Sequence, residues 1–359
     1  MPTSQTLRPG GGWRPAALLV KLGPFGESGL RLVRRTMPWE WRDVASQPLW
    51  MVAALVLALV VRAQRRGRWD PRACRVGLRG RTAVVTGANT GIGKFVALDL
   101  ARRGARVILA CRSEARGSAA VQDIRQRSGN DNVHLRILDT SSLASVRKFA
   151  AGILKEEKQL HILVNNAGAS GLARSITEDG LELSFATNHV GPFLLTNLLL
   201  DLLKRSAPAR IVNVSSANHW RGEVNFSHFH GDNLNYRMDT VYNNTKLHNI
   251  LCTNELALRL KGTDVTANSL HPGVVMTEVM RNYNWLVRFL FNLVGIFFFK
   301  SSEEGAVSTI YCAVAEETEG ITGKYFDSDC SLVLPSPSAR DPALARKDFE
   351  FCDQLVSNL

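Results

Sequence analysis

The chain has 359 residues, of which 45% are hydrophobic, 21% are charged and 8% are aromatic. This composition excludes a disordered chain, a collagen-like repeat and a protein with several membrane spans. It leaves room for one large domain or two smaller ones, each with a hydrophobic core.

The basic charge is concentrated near the N-terminus. Of the formal net charge of +12, residues 1–81 carry +11, from 15 Lys or Arg and 4 Asp or Glu, and the remainder carries +1. A nearly neutral body behind a basic leader favours membrane orientation or targeting, and no nucleic-acid partner is expected. The six cysteines form no close pair in the sequence. We therefore expect neither a disulfide framework nor a metal site.

An apolar segment is predicted to be a membrane anchor. Residues 49–61 are 13 consecutive apolar side chains, which is short beside the roughly 20 residues of a full span. The basic linker 62–80 follows directly, and its positive charge favours a cytosol-facing body. We expect membrane lipid as a partner and the endoplasmic reticulum as the membrane.

Residues 1–48 form the basic leader, which is either a targeting segment or dispensable. Within it, residues 1–36 contain a single acidic side chain, Glu27, and have the composition of a transit peptide. Mitochondrial targeting is therefore the alternative location. Initiation at Met37 or Met51 would shorten the leader and place the apolar segment near the N-terminus.

From residue 81 onward, short apolar runs alternate with helical patterns, and several runs are continuous β-branched segments typical of strands covered on both faces. The predicted strands are Thr82–Thr86, Arg106–Ala110, Val133–Leu138, Ile162–Asn165, Arg210–Val214 and Asp264–Leu270. The predicted helices include Gly93–Arg103, Leu143–Glu157, Leu183–Leu203 and Tyr242–Leu260. This alternation predicts a single α/β domain over residues 81–335, a doubly wound parallel sheet of the Rossmann class. Residues 336–359 are predicted to be a tail with a short helix, Leu344–Leu355.

The first predicted strand leads directly into TGANTGIG, residues 86–93. Glycine allows a tight turn and a close backbone approach to a pyrophosphate, which then lies at the N-terminus of the following helix. A strand before this segment and a helix and second strand after it are the context in which the pattern indicates dinucleotide binding. The residues expected to bind the cofactor here are Gly87, Asn89, Thr90, Gly91, Ile92 and Gly93.

The end of the second strand favours NADP(H) over NAD(H). Arg112 stands where a carboxylate would otherwise bind the ribose 2′-hydroxyl, and no acidic residue occurs between residues 106 and 113. A guanidinium binds a 2′-phosphate through paired hydrogen bonds, and Lys94 offers a second positive charge. Asp139, after the third strand, is expected to face the adenine. The segment NNAG is expected to close the floor of the site with Asn165, Ala167 and Gly168.

Tyr242 and Lys246 lie four residues apart, hence on one face of a predicted helix. A phenol with an ordinary pKa near ~10 is a poor base at neutral pH. A neighbouring ammonium favours the phenolate, so we expect a lowered pKa that lets Tyr242 move a proton to or from a carbonyl oxygen. A Tyr-x-x-x-Lys spacing alone is common by chance. It indicates a catalytic site here because Ser216 lies at the end of an upstream strand and Asn188 on an earlier helix.

The motifs TGANTGIG, NNAG, VNVSS, YNNTK and HPG occur in an order that resembles the short-chain dehydrogenase/reductase family over about residues 78–355. The resemblance implies that Ser216 binds and orients the substrate oxygen and that Tyr242 is the acid/base. Lys246 would bind the nicotinamide ribose and tune Tyr242, and Asn188 would hold a water in a proton relay. The residues implied at the nicotinamide end are Pro272, Gly273 and Thr277.

Longer segments, among them FATNHVGPFLLTNLLL and RIVNVSSANH, resemble the membrane-anchored retinol dehydrogenases. This resemblance implies an NADP(H)-dependent oxidoreductase that interconverts a lipophilic alcohol and its aldehyde or ketone, with retinol and retinal as the expected pair. A steroid or fatty-aldehyde reductase is the alternative within the class. A non-catalytic, membrane-tethered NADP-binding interaction protein is the alternative from another class. Whether the protein forms a homodimer is left open.

An apolar lid is predicted over residues 279–300. Its central segment, 285–299, is interrupted by Arg288 and Asn292 and is short for a span. The resembling family carries its substrate-binding segment at this place after HPG, and the density of aromatic residues favours contact with lipid or a lipid-like ligand. A helix packed on the core or at a dimer interface is the alternative.

Overall fold

The computed structural model describes Val52, Val56 and residues 69–236, 239–275 and 299–359. The predicted leader, most of the predicted anchor 49–61 and nearly all of the predicted lid 279–300 lie outside the described residues. Within the described ranges, no helix combines the length and the apolar composition needed to cross a bilayer.

Eight strands form one sheet in the order β3-β2-β1-β4-β5-β6-β7-β8, and only the last pair is antiparallel. The predicted doubly wound α/β class is confirmed. Six strands lie where the apolar runs predict them, to within one residue at either end. The strands β7 and β8 were not predicted, because a run of two residues carries no readable periodicity. The strands are β1 Thr82–Thr86, β2 Arg106–Cys111, β3 Val133–Ile137, β4 Ile162–Asn165, β5 Ala209–Val214, β6 Val265–Leu270, β7 Tyr325–Phe326 and β8 Leu332–Val333.

Seven helices of more than ten residues cover the two faces of the sheet in the described part of the chain. They are α1 Gly91–Arg102, α2 Glu114–Ser128, α3 Leu143–Glu156, α4 Gly191–Arg205, α5 Thr240–Arg259, α6 Ser302–Val314 and α7 Pro342–Asn358. Successive residues of β1 point to opposite faces, so Val84 packs with α3, α4, α5 and α7, whereas Ala83 and Val85 pack with α1, α2 and α6. Burial on both faces explains why the strand lacks an alternating polar pattern.

The predicted helix Leu183–Leu203 is divided into three parts. One α-helical turn at Leu183–Phe185 leads into a π-helical segment, Ala186–Val190, and α4 follows at Gly191. A π-segment adds a residue to the turn and thereby rotates the side chains that follow it. Hydrophobic periodicity does not reveal the interruption, because the segment remains helical and buried.

The C-terminal helix α7 packs against α5. The Asp341 carboxylate accepts hydrogen bonds from the N–H groups of Ala343 and Leu344 and thereby caps α7. Phe349 and Cys352 then join the main hydrophobic core. The helix is longer than the predicted Leu344–Leu355, and the predicted tail is part of the folded body.

Candidate active site

A cleft of about 270 Å³ lies at the carboxyl ends of the parallel strands. Ligands of doubly wound folds bind at this edge, because the loops after neighbouring strands converge there. Most of the predicted site residues line the cleft. These are Gly87, Asn89, Thr90, Gly91, Ile92, Arg112, Asp139, Ala167, Gly168, Ser216, Tyr242, Lys246, Pro272 and Gly273.

The glycine loop after β1 is shaped for close backbone packing. Gly87 and Gly91 have φ of +66° and +58°, a region that side chains disfavour. A Cβ on Gly93 would lie 2.4 Å from the Asn166 side chain and 2.7 Å from the Gly87 carbonyl oxygen. Gly93 therefore lets α1 pack against the loop and does not itself line the cleft.

The N-terminus of α1 fits an anionic group. Thr90 precedes the helix with extended backbone, and its side chain makes no capping hydrogen bond. The N–H groups of a first helical turn bind phosphate oxygens, and the helix dipole favours the negative charge. These features fit the pyrophosphate of a dinucleotide.

Thr86, which the sequence analysis did not single out, connects the loops after β1 and β4. Its hydroxyl oxygen accepts hydrogen bonds from the N–H groups of Asn166 at 3.0 Å and Ala167 at 2.9 Å. The Asn166 amide donates in return to the Thr86 carbonyl oxygen at 2.9 Å. Its place at the carboxyl end of β1, directly before the glycine loop, is the signal that would have identified it.

Asn165, which was expected in the floor of the cofactor site, lies instead behind the cleft. Its side chain is buried and donates to Thr196 Oγ1 at 2.9 Å and to Asn213 Oδ1 at 2.8 Å. It thus ties β4 to α4 and β5 behind the cleft. The floor of the cleft is formed instead by the Asn166, Ala167 and Gly168 part of the NNAG segment.

Arg112 and Asp139 meet at one end of the cleft, where the sequence predicts the adenosine of the cofactor. Arg112 Nη1 lies 3.8 Å from Asp139 Oδ2, and the Arg112 side chain is 59% exposed. Arg116, one turn into α2, also lines this end and was not identified from the sequence. Lys94, expected to add a second positive charge, instead pairs with Asp123 at 3.0 Å.

Tyr242 and Lys246 both face the cleft from α5, as their spacing predicts. The Lys246 ammonium lies 5.4 Å from the centre of the Tyr242 ring and donates to the Val214 carbonyl oxygen at 2.9 Å. Burial raises the pKa of Tyr242 to about 12, although a hydrogen bond with the Ser216 side chain opposes the shift. Burial also lowers the pKa of Lys246 to about 8. The expectation of a lowered tyrosine pKa is therefore wrong for this structure, because loss of solvation outweighs any effect of the ammonium.

The two serines after β5 have separate surroundings. The Ser215 hydroxyl donates to the Lys246 carbonyl oxygen at 2.7 Å and is buried. The Ser216 hydroxyl accepts from the Asn218 N–H at 3.2 Å and lies at the cleft beside Tyr242. Ser215 thus fixes β5 to α5, and Ser216 is presented to a ligand.

Asn188 lies in the π-helical segment, just behind the cleft. Its side chain accepts from the Ala169 N–H at 2.8 Å and donates to the Ala169 carbonyl oxygen at 2.9 Å. Its own carbonyl oxygen accepts from the Asn249 amide at 3.1 Å. Asn188 thereby holds the loop after β4 against the helices. The main-chain carbonyl oxygen of Asn188 is hydrogen-bonded to the Asn249 side chain.

The loop after β6 forms the remaining edge of the cleft. Gly273 has φ of +87°, and its N–H donates to His271 Nδ1 at 3.1 Å. Val275, which lines the cleft and precedes the predicted lid, pairs in a parallel bridge with Lys300, the last residue of that lid. Thr277 lies outside the described residues.

Comparison with known proteins gives a consistent result. The family profile described as short chain dehydrogenase matches residues 81–285. Retinol dehydrogenase 12 of Bos taurus is 48% identical over 285 residues, which cover 79% of this chain and 89% of that protein. Retinol dehydrogenase 14 of Homo sapiens is 43% identical over 326 residues, covering 87% and 95%. Among solved structures, the Pseudomonas aeruginosa RhlG/NADP complex is 25% identical with a TM-score of 0.56, covering 77% of this chain and all of that one (100%).

Proposed function

The chain belongs to the short-chain dehydrogenase/reductase family, in its retinol dehydrogenase branch, and from this premise we propose that it interconverts retinol and retinal with NADP(H). It is an oxidoreductase that acts on a CH–OH group. The observation that carries the proposal is the meeting of Ser216, Tyr242 and Lys246 on a cleft that the glycine loop also lines. When bound, the nicotinamide would supply or accept hydride at the substrate carbon, and the side chains of this protein would act on the substrate oxygen.

Tyr242 is the proposed proton donor when a carbonyl group is reduced. Because burial raises its pKa to about 12, the phenol keeps its proton at neutral pH. It can then donate that proton to the oxygen that gains negative charge. Ser216, hydrogen-bonded to the phenol, is the proposed second donor to this oxygen, and two donors positioned in advance stabilise the developing charge.

Lys246 is proposed to bind the nicotinamide ribose and to return a proton to Tyr242. Its hydrogen bond to the Val214 carbonyl oxygen fixes the ammonium at the cleft. With a pKa of about 8, the amine exchanges its proton close to neutral pH. In alcohol oxidation the same groups would move the proton in the opposite direction.

The phosphorylated cofactor is proposed because guanidinium groups line the adenosine end. Arg112 and Arg116 both face this end of the cleft. The carboxylate of Asp139 is 3.8 Å from Arg112, so the local negative charge has a cationic neighbour. A guanidinium and a 2′-phosphate form strong charge-assisted hydrogen bonds.

We propose that segment 49–61 attaches the enzyme to the endoplasmic reticulum membrane, with the catalytic domain in the cytosol. The proposal is supported by the 13-residue apolar run and the arginines that follow it. A lipophilic substrate would dissolve in the same bilayer and reach the cleft from it.

Replacement of Tyr242 by Phe tests the catalytic proposal. We expect kcat for reduction of all-trans-retinal with NADPH to fall about 10²- to 10⁴-fold, since a positioned proton donor contributes that much. Tyr311→Phe is the matched control, because Tyr311 lies on α6 between Trp69 and Phe326. Equal, negligible rates in the parent and in Tyr242→Phe would favour the non-catalytic alternative. If the parent reduces only steroids or fatty aldehydes at a high rate, the proposed substrate is wrong and the proposed catalytic mechanism stands.

A further inference from the structure

Four side chains with metal-binding atoms meet in the core, away from the cleft. His189 comes from the π-helical segment, Cys252 from α5, and Asp348 and Cys352 from successive turns of α7. All four are buried. One ligand atom from each lies within 4.8 Å of the other three. Asp348 and Cys352 are four positions apart, but His189 and Cys252 lie 63 positions from each other and 96 or more positions before this pair, which explains why no spacing motif predicts the cluster.

The separations within this His189–Cys252–Asp348–Cys352 cluster suit a tetrahedral ion. His189 Nε2 lies 3.3 Å from Cys352 Sγ and 3.9 Å from Cys252 Sγ, and Cys252 Sγ lies 3.3 Å from an Asp348 oxygen. Zinc bonds of about 2.0–2.3 Å place neighbouring ligand atoms about 3.3–3.8 Å apart.

Neighbouring residues orient two of the four ligands. The Asn249 amide donates to the Asn188 carbonyl oxygen, which directs Asn249 Oδ1 at His189 Nδ1, 2.9 Å away. His189 Nδ1 must then carry the proton, so Nε2 presents its lone pair to the two sulfur atoms. His248 Nδ1 contacts the other oxygen of Asp348 at 2.6 Å. Partners of this kind characterise metal-binding histidines and carboxylates.

Zinc binding would change the protonation and the charge of the cluster. Binding of one Zn²⁺ would release two protons and leave one net negative formal charge, as in a Cys₃His site.

A small cavity adjoins the cluster. A cavity of about 30 Å³ is lined by His189, Cys252, Asn249 and Phe349, among others. Two of the four proposed ligands, His189 and Cys252, therefore border an open space within the described part of the chain.

We infer that His189, Cys252, Asp348 and Cys352 bind one Zn²⁺ as a structural site. Two thiolates, an imidazole and a carboxylate form a donor set that binds zinc in preference to calcium or magnesium. The ion would join three elements: the segment that carries Asn188, the helix that carries Tyr242 and Lys246, and the C-terminal helix. Zinc would stabilise the fold behind the active site and take no part in the redox reaction.

The test measures metal binding by the full-length, detergent-solubilised protein. The protein is stripped with a chelator, incubated with ZnCl₂ and desalted, and zinc is counted by mass spectrometry. We expect one zinc per chain, and a higher melting temperature with zinc than without. In Cys352→Ala the bound zinc should be lost. The matched control, Cys312→Ala, removes another buried thiol that lies outside the cluster and should retain one zinc.

Cobalt substitution tests the proposed ligands and the tetrahedral geometry in the parent protein, without any variant. Co²⁺ bound to the parent protein should show thiolate-to-metal charge-transfer bands and the intense visible bands of tetrahedral coordination, and zinc should abolish both. An octahedral cobalt spectrum, less than stoichiometric zinc, or retention of zinc by a folded Cys352→Ala would overturn the inference. A disulfide between Cys252 and Cys352, detected as two missing thiols in the denatured protein, would overturn it as well.

Discussion

At the scale of single residues, the protonation state of Tyr242 depends on two opposing effects. The spacing of Tyr242 and Lys246 suggests that the ammonium favours the phenolate. In the folded protein, Lys246 donates to the Val214 carbonyl oxygen, and burial raises the pKa of the tyrosine to about 12. The neutral phenol that results is the form that can donate a proton to a reduced carbonyl. In the proposed mechanism, reduction of a carbonyl starts from this neutral phenol, whereas oxidation of an alcohol starts from the phenolate.

Arg112 allows a residue-scale prediction about cofactor choice. We expect Arg112→Asp to raise KM for NADPH about 10- to 100-fold, since a charge-assisted hydrogen bond is worth about 1.5–3 kcal/mol. KM for NADH should change little or fall, because a carboxylate can accept from the ribose 2′-hydroxyl. The measurement is steady-state kinetics with both cofactors at saturating aldehyde. Arg127→Asp is the control, because Arg127 pairs with Asp123 on α2 outside the cleft. An unchanged ratio of the two KM values would remove Arg112 from the specificity argument.

At the scale of elements, the π-helical segment connects the cleft to the core. Asn188 and His189 are adjacent in it and point in different directions, one to the loop after β4 and the other to the buried cluster. Gly191 follows the segment as the first residue of α4, where this helix passes close to the loop after β3. A Cβ at this position would lie 2.0 Å from the Thr140 carbonyl oxygen. The close approach of two backbones therefore requires glycine at residue 191.

Gly191→Ala is predicted to destabilise the protein. We expect a loss of about 1–3 kcal/mol in the free energy of unfolding, the usual cost of overpacking, and more if the backbone cannot move. Gly152→Ala in α3 is the matched control. An added Cβ there meets no atom within 4 Å, so the substitution should stabilise the helix by about 0.5–1 kcal/mol. Thermal unfolding of the two variants beside the parent measures the difference. If both variants melt at or above the parent temperature, the packing argument is wrong.

At the scale of the whole molecule, basic charge and catalytic groups occupy separate parts of the chain. The first 81 residues carry +11 of the net charge of +12. The predicted catalytic and cofactor-binding residues follow them, from Gly87 onward. The C-terminal helix α7 then returns to pack on α5. The sequence thus divides into a segment suited to a membrane surface and a nearly neutral enzyme.

Deletion of residues 49–61 is predicted to release the enzyme from membranes. We expect the parent to sediment with the membrane fraction and to resist high salt, because the apolar run contributes more than electrostatic attraction. The deletion variant should appear in the supernatant and still bind NADPH. Deletion of residues 1–48 is the control and should leave sedimentation unchanged. If the 49–61 deletion still sediments, the apolar segment 285–299 becomes the candidate for membrane attachment.

Much of the fold follows from local patterns. Continuous apolar runs locate six strands, and the alternation with helical patterns indicates a parallel sheet. The two-residue strands β7 and β8 carry no such pattern, because they are strands only through pairing with β6 and with each other. The π-segment is likewise invisible in the sequence, since it lies inside a continuous helical pattern.

The sequence by itself determined the glycine loop, the Tyr242–Lys246 spacing and the basic residue after β2, because each depends on neighbours within a few positions. Only the tertiary structure decided that Lys94 pairs with Asp123, that Asn165 faces the core and that burial raises the pKa of Tyr242. It also decided that Cys252 meets Cys352, beside a histidine 63 positions before the first of them. Such contacts form between distant parts of the chain, and burial changes the charge of a group only after the core has closed around it.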